Sequence, residues 1–114
     1  MSGAVLDVAV ERLAGGRTVV TVRGEIDLAN ADDLERRMDA AAEDSDALVV
    51  DLNDVTYLDT RGLRILVHLA RRHQEGTTQV TMVAGRDGIV GRLLEITRLG
   101  DVVPVRQALP QLDV

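Results

Sequence analysis

Apolar and polar positions alternate at the start of the chain and predict a β-hairpin. Apolar residues recur over 5–13 and again, as a run of β-branched residues, over 18–22, with two glycines at 15–16 between the runs. Two alternating runs joined by glycines are typical of antiparallel strands that meet at a tight turn. The sequence Gly24-Glu25-Ile26-Asp27 is then expected to end the second strand.

A helix is predicted directly after this turn. Asn30 is expected to cap its free amide groups, and Asp32 and Asp33 place negative charge at the positive end of the helix dipole. Apolar residues then recur at spacings of three and four, the period of an amphipathic helix. They are Leu34, Met38, Ala41 and Ala42.

The continuous apolar run at 47–50 predicts a strand that is buried on both faces. Such runs are typical of the centre of a parallel sheet. The run ends at Asp51, and the polar stretch 52–62 that follows is interpreted as a loop at the carboxyl end of the strand. Open α/β sheets place their functional sites at that end.

The second half of the chain predicts two more helices and two more strands. A helix over about 60–73 ends in three basic residues, which suit the negative end of the helix dipole. A strand over 78–84 precedes a helix over about 87–99. The candidate core residues of that helix are Ile89, Val90, Leu93, Leu94 and Ile96.

The last segment is predicted to be an edge strand followed by a short helix. The strand covers 102–105, and Pro104 favours an edge because proline has no amide to donate to a neighbour. The helix covers 106–112 and is interrupted by Pro110.

The order of the elements predicts an α/β fold. We expect one domain over residues 1–114, with an N-terminal hairpin, then alternating helices and strands, and a central, mostly parallel sheet of about five strands with helices packed on it. Residues 1–4 and 113–114 are expected to be disordered. No internal repeat or linker interrupts the sequence.

Composition excludes several kinds of chemistry. The chain has no cysteine, so it has no disulfide and no thiol nucleophile. All 13 basic residues are arginine, which excludes lysine Schiff bases and P-loop phosphate binding. His68 and His73 are five positions apart and do not share a helix face as metal ligands would, so we interpret them as surface residues. No metal and no cofactor is predicted.

Charge and hydropathy exclude two classes of partner. The formal net charge is −6, the wrong sign for a protein that binds nucleic-acid phosphates directly. No apolar run approaches the roughly 20 residues of a membrane span, and no export signal is present. The expectation is a cytoplasmic protein that does not insert into membranes, either a monomer or a weak dimer.

One segment carries a specific resemblance. Residues 49–63 have the sequence VVDLNDVTYLDTRGL, in which a strand ends in Asp-Leu and an aromatic, an apolar residue and Asp-Thr-x-Gly-Leu follow. This order resembles the signature of STAS domains, typified by bacterial anti-sigma factor antagonists. The sequence at 24–27 is similar to the turn that precedes the first helix in that family.

The resemblance implies a regulatory binding protein and not an enzyme. It makes Thr60 a phosphoacceptor, modified by an anti-sigma factor that is also a serine/threonine kinase and restored by a serine/threonine phosphatase. The unmodified form is then expected to bind the anti-sigma factor and release a sigma factor. The candidate partner-binding residues are Asp27, Asp54, Asp59, Arg61 and Gly62. Of these, the resemblance assigns Asp27 and Asp59 to partner contact or to orienting the acceptor region. Arg61 stands where many members have a small hydroxyl residue.

The physical character of Thr60 agrees with a switch. A hydroxyl at a helix N-terminus faces unpaired amides, and a phosphate there adds about −1.5 to −2 charges. Repulsion from nearby carboxylates would then break an interface without unfolding the protein. The alternative is that Asp59 and Thr60 only cap the helix, since both residue types are favoured there. Tyr57 is interpreted as a packing residue.

Three other functions remain as alternatives. A response-regulator receiver would use Asp51 as phosphoacceptor, but the chain has no lysine for that chemistry. A small enzyme would use a cluster of carboxylates as acid and base, without a nucleophile beside them. The cluster would comprise Asp27, Asp51, Asp54 and Asp59. The same fold also serves as a regulatory subunit of stress-signalling assemblies or of lipid or anion transporters.

Overall fold

The computed structural model describes residues 5–101 and 103–107. Short 3₁₀ turns follow the first strand and the last helix. In chain order, the strands and α-helices are β1 (Leu6–Leu13), β2 (Arg17–Ile26), α1 (Ala31–Ala42), β3 (Ala47–Leu58), α2 (Thr60–Glu75), β4 (Gln79–Val83), α3 (Ile89–Thr97) and β5 (Val105–Arg106).

The five described strands form one sheet in the order β1-β2-β3-β4-β5. β1 and β2 are an antiparallel hairpin, and the other neighbouring pairs are parallel. The predicted α/β fold with a mostly parallel five-stranded sheet is therefore confirmed, with β3 in the centre and β5 at an edge.

The main core lies between the sheet and its helices. All three α-helices contribute buried side chains to it, among them Leu34 of α1, Leu66 of α2 and Leu94 of α3. A second, smaller cluster contains Val19 and Val49. These two valines alternate along their strands with residues of the main core, so they lie on the opposite face of the sheet. The predicted burial of β3 on both faces is thus confirmed.

The end of β3 corrects the sequence interpretation. The stretch after Asp51 was expected to be a loop, but β3 continues to Leu58. Its pairing with β2 shifts register twice, and each shift leaves one extra residue on β3, as in a β-bulge. The buried residues Leu52, Val55 and Leu58 are consequently three positions apart instead of two, which hides the alternation of a strand.

β2 also continues beyond its predicted end. Gly24 was expected to begin a strand-breaking turn, yet the strand runs to Ile26. Gly24 has a φ of +95°, and an added Cβ would collide with the carbonyl oxygen of Val5. The glycine therefore lets the start of β1 approach β2 closely, at the point where β2 shifts register against β3. The turn itself starts only at Asp27.

The remaining differences concern element ends and exposed side chains. α3 begins at Ile89 instead of Asp87, and Ile96 is 77% exposed, not in the core. β5 consists of Val105–Arg106, so the strand lies later than predicted although its edge position is confirmed. The terminal helix predicted over 106–112 does not begin at Arg106, because that residue lies in β5. Residues 1–4, 102 and 108–114, which include the rest of that helix and the ends expected to be disordered, lie outside the described residues. No helix in the described part of the chain is long and apolar enough to span a membrane.

Polar contacts join α1 to the last turns of α2. Arg72 of α2 forms ion pairs with Glu35 (3.4 Å) and Asp39 (2.5 Å) of α1. His73 Nε2 lies 2.8 Å from the same Asp39 carboxylate, and the His73 side chain is only 16% exposed. The interpretation of His73 as a surface residue was wrong, because α1 packs over it.

Candidate functional site

Two strand ends bring the candidate carboxylates together. Ile26 at the end of β2 pairs with Leu58 at the end of β3 in parallel register. The residues that follow, Asp27 and Asp59, therefore leave the same edge of the sheet side by side. Both carboxylates are partly buried. The site lies at the carboxyl edge of the parallel strands, as the sequence predicts.

Asp27 is held in a fixed turn. Its Oδ1 accepts hydrogen bonds from the amides of Ala29 (2.8 Å) and Asn30 (3.3 Å). Asn30 in turn accepts from the Asp27 amide (3.1 Å) and donates its Nδ2 to the Glu25 carbonyl (2.8 Å). Asn30 is at the N-cap position, but its side chain makes no capping bond to α1. The predicted cap instead fixes the turn that presents Asp27.

Asp59 is the N-cap of α2. Its Oδ1 accepts a hydrogen bond from the amide of Gly62 at 2.7 Å. Gly62 is buried, and an added Cβ would lie 2.6 Å from Leu58 Cδ1 and 3.3 Å from the Ile26 carbonyl oxygen. The glycine lets the first turn of α2 approach the ends of both strands. One carboxylate oxygen of Asp59 is thus engaged in capping.

Thr60 is the first residue of α2 and is exposed. Its hydroxyl makes no hydrogen bond with the residues that the structure describes. Since the Asp59 carboxylate accepts the capping hydrogen bond from the Gly62 amide, the hydroxyl of Thr60 is not the cap of this helix. It stands free beside two carboxylates, where a modifying enzyme could reach it.

The surface around Thr60 also carries apolar and basic side chains. Leu28 is 58% exposed and Tyr57 is 47% exposed, so the interpretation of Tyr57 as a packing residue was wrong. Arg61 and Arg64 are exposed, and neither side chain has an ion-pair or hydrogen-bond partner among the described residues. We call the exposed Leu28, Tyr57, Thr60, Arg61 and Arg64, with Asp27 and Asp59, the switch surface.

Asp54 does not join this group. It lies within β3, five residues before Asp59, which corresponds to up to about 16 Å along a strand. Asp54 pairs with Arg23 of β2 at 3.3 Å, and both side chains are more than half exposed. The predicted partner-binding residues Asp27, Asp59, Arg61 and Gly62 are brought together, whereas Asp54 stands apart in a surface ion pair.

The structure removes support from two alternative functions. A receiver would need Asp51 at a strand end, but β3 continues past this residue. The Asp51 carboxylate accepts a hydrogen bond from the Asn53 amide at 3.0 Å. An acid and base cluster would need Asp51 and Asp54 beside Asp27 and Asp59, and the strand keeps them apart. In residues 5–101 and 103–107, no three histidines or carboxylates are grouped so that they could hold a metal ion.

Three members of the switch surface were missed by the sequence reasoning. Leu28 and Arg64 match no motif, and Tyr57 was interpreted as a packing residue although it is 47% exposed. Leu28 directly follows Asp27, and an apolar residue in an otherwise polar turn is the sequence feature that indicates an exposed apolar contact there. Arg64 follows Thr60 by four residues, and this spacing indicates that the two side chains are neighbours on the helix surface.

Comparison with known proteins agrees with this geometry. The family model of the STAS domain matches residues 8–112. The anti-sigma-F factor antagonist RsfA of Mycobacterium tuberculosis is 34% identical over 90 residues, which cover 76% of this chain and 70% of that protein. A crystal structure of an anti-sigma factor antagonist from Mycobacterium paratuberculosis has a TM-score of 0.79 and 32% identity, and the match covers 92% of this chain and 88% of that one.

A more distant structure shares the fold alone. The Bacillus cell fate determinant SpoIIAA in its phosphorylated form has a TM-score of 0.62 and 10% identity, with 89% of this chain and 92% of that one covered. The fold, the signature at the start of α2 and the two mycobacterial relatives point to the same group of proteins. The chain therefore belongs to the STAS domain family, to the type represented by its anti-sigma factor antagonists.

Proposed function

We propose that this protein binds an anti-sigma factor that is also a serine/threonine kinase, and that phosphorylation of Thr60 ends the binding. In the unmodified form, the switch surface docks on the kinase and the bound sigma factor is released. A phosphatase reverses the modification. The protein acts by binding and needs no cofactor of its own.

The observation that carries this proposal is the placement of Thr60. Its hydroxyl is exposed and free while Asp59, one residue earlier, caps the helix. Leu28 and Tyr57 add apolar area beside it, which a protein partner can bury.

Electrostatics explain how a phosphate would act on this surface. The chain already has a formal net charge of −6, and the carboxylates of Asp27 and Asp59 are close to the acceptor. A phosphate adds about −1.5 to −2 further charges. A partner that fits the unmodified surface would meet like charge or a desolvation cost at the centre of the contact. The interface is lost while the fold, held by its buried core, stays intact.

The relatives support the identity of the partner. RsfA is named as an antagonist of the anti-sigma-F factor, and the mycobacterial structure as an anti-sigma factor antagonist. SpoIIAA provides an example of this fold in phosphorylated form. These names describe those proteins, and we infer the same role for this chain.

The test is partner capture from the lysate of the native host with Thr60→Ala and Thr60→Glu proteins as baits, followed by mass spectrometry. We expect the Thr60→Ala bait to recover an ATPase-type kinase and the Thr60→Glu bait to lose about tenfold or more of it, because a charge is buried against the partner. Incubation of wild-type protein with the recovered kinase and ATP should add one phosphate at Thr60.

Thr77 provides the matched control. It is an exposed threonine beyond the opposite end of α2, and Thr77→Ala and Thr77→Glu change the same atoms and charges there. Both Thr77 baits should recover the kinase equally. Recovery of a permease, a lipid transporter or nothing by both Thr60 baits would overturn the proposal and favour the regulatory-subunit alternative or a plain helix start.

A further inference from the structure

The first two turns of α2 contain cations at the end of the helix that disfavours them. Arg61 and Arg64 lie close to the N-terminus of α2, whose first turn contains no acidic residue beyond the N-cap Asp59. Basic side chains are favoured at the opposite end of a helix, because the free amides of the N-terminus carry positive charge. α1 follows the usual rule, with Asp32 and Asp33 in its first turn.

The two arginines also stand near each other without compensation. They are three residues apart on the helix, a spacing at which like charges repel. Neither has an ionic partner within the described part of the chain. A local conflict of this kind, in a helix that otherwise follows the rules of sequence and structure, points to a function.

Helix geometry places Arg64 within reach of Thr60. Residues four apart are neighbours on a helix surface, with Cβ atoms about 5–6 Å apart. Long side chains in a helix lean towards the N-terminus, over the residues three and four positions earlier. For Arg64 these are Arg61 and Thr60. Its guanidinium can therefore reach a group attached to the Thr60 hydroxyl.

No carboxylate of the described residues forms an ion pair with Arg64. It lines a groove of about 340 Å³ between α1 and α2, together with Asp32 and Glu35. Glu35 is paired with Arg72 of α2 instead, at 3.4 Å. Asp59 is engaged with the amide of Gly62. The guanidinium of Arg64 remains available although acidic residues surround it.

We propose that Arg64, supported by Arg61, binds the phosphate of Thr60 once that residue is phosphorylated. The proposal rests on Thr60 being the phosphoacceptor, as argued above. A guanidinium group can donate two parallel hydrogen bonds to two oxygens of one phosphate, which makes the contact strong and directional. The phosphate then replaces the repulsion between the two arginines by attraction, and it adds to the negative charge that the Asp59 carboxylate already places at the start of α2.

This arrangement gives the modification two effects on the switch surface. It withdraws two cations that are free to contact an acidic partner in the unmodified form. It also holds the phosphate against α2, so that the helix start is preserved while the surface changes sign.

The test measures the second ionisation of the phosphate by ³¹P NMR. Phosphothreonine is introduced at position 60 during translation, so no kinase is required. The pKa of a free phosphothreonine is about 6. We expect Arg64→Gln to raise the measured pKa by roughly 0.5, the low side of the effect of an opposite charge because the site is exposed. Arg61→Gln should raise it less, and Arg64→Lys should keep most of the wild-type value.

Arg71→Gln is the control. Arg71 is an exposed arginine of the same helix, eleven residues after Thr60 and thus about 16 Å further along the axis, beyond the screening length at physiological salt. Its replacement should leave the phosphate pKa unchanged. Equal pKa values in wild type, Arg64→Gln and Arg71→Gln would overturn the proposal. Because the phosphate is installed without a partner, this result is independent of whether the capture experiment finds a kinase.

Discussion

Gly62 shows how a single residue shapes the switch surface. A glycine in the first turn of a helix normally reduces stability, since alanine is better there by about 0.5–1 kcal/mol. Here the backbone of Gly62 lies against Leu58 and the Ile26 carbonyl, where no Cβ fits without movement. The need for close approach outweighs helix propensity, and the approach brings Asp59 and Thr60 next to the end of β2.

Replacement of Gly62 by alanine is expected to lower stability. The added Cβ must displace the Leu58 side chain, and overpacking of this kind costs about 1–3 kcal/mol. Urea denaturation followed by circular dichroism measures the loss. Gly100→Ala is the control, because its added Cβ would meet its nearest neighbours, Val105 Cγ2 and Leu94 Cβ, at ordinary distances of 3.5 and 3.6 Å. A Gly62→Ala protein as stable as wild type would show that Leu58 moves freely and that the packing argument is wrong.

At the residue scale, the sequence motif predicted where the main candidate residues lie in the fold. It located Thr60 at the start of α2 and joined it with Asp27, since both follow strands of a parallel sheet. It did not show that Asn30 fixes the Asp27 turn instead of capping α1. Side-chain hydrogen bonds of asparagine to nearby backbone compete with capping, and the choice depends on the turn geometry, which sequence does not display.

A buried hydroxyl pair connects elements at the opposite end of the sheet. Ser45, between α1 and β3, lies 2.6 Å from the hydroxyl of Thr18 on β2 and donates to the Ala41 carbonyl at 2.7 Å. Arg12 of β1 donates to Ser45 Oγ at 3.3 Å. Thr18 is only 1% exposed, so its hydroxyl depends on Ser45 for a partner.

A double-mutant cycle on this pair should show coupling. Ser45→Ala leaves the Thr18 hydroxyl buried and unpaired, at a cost of about 1–3 kcal/mol. Adding Thr18→Val removes that unpaired group, so the double variant should be more stable than the sum of the two losses predicts, by about 0.5 kcal/mol or more.

Chemical denaturation of the four proteins gives the coupling energy. As a control, Thr18→Val is combined with Thr56→Val, whose hydroxyl bonds to the Gly24 carbonyl at 3.2 Å and shares no partner with Thr18. That pair should be additive. Additivity in the Ser45 cycle as well would mean that Thr18 finds another partner.

At the element scale, sequence periodicity predicted the regular parts and failed at the irregular one. All three helices and the first half of β3 were identified because their apolar spacing has a single period. The second half of β3 does not show the pattern of a strand, because two register shifts stretch the spacing of its buried residues. Such shifts are set by the neighbouring strand, so a single segment does not reveal them.

For the whole molecule, the sheet order predicts which amides exchange slowest with solvent. β3 has a neighbour on both sides over Ala47–Asp51, and its side chains there are buried on both faces. β5 has only two residues and lies at an edge. Opening a central strand requires the sheet to separate, whereas an edge strand detaches alone.

Hydrogen exchange measured by NMR should therefore rank the strands by position. The amides of Val49 and Val50 should exchange at rates near the global unfolding limit, those of β1 faster, and those of β5 fastest. Phosphorylation or Thr60→Glu should leave the protection of Val49 and Val50 unchanged, since the proposed switch acts on the surface. β1 amides as protected as those of β3 would contradict this ranking.

The two register shifts of β3 have a consequence for insertions and deletions. Where pairing is regular, over Ala47–Asp51, removal of one residue would turn every following side chain to the opposite face. Between Asp51 and Leu58, each shift holds one surplus residue, and its removal would restore regular pairing without displacing Leu58 from Ile26. This part of β3 can therefore change in length over evolution while Asp59 and Thr60 keep their place beside Asp27.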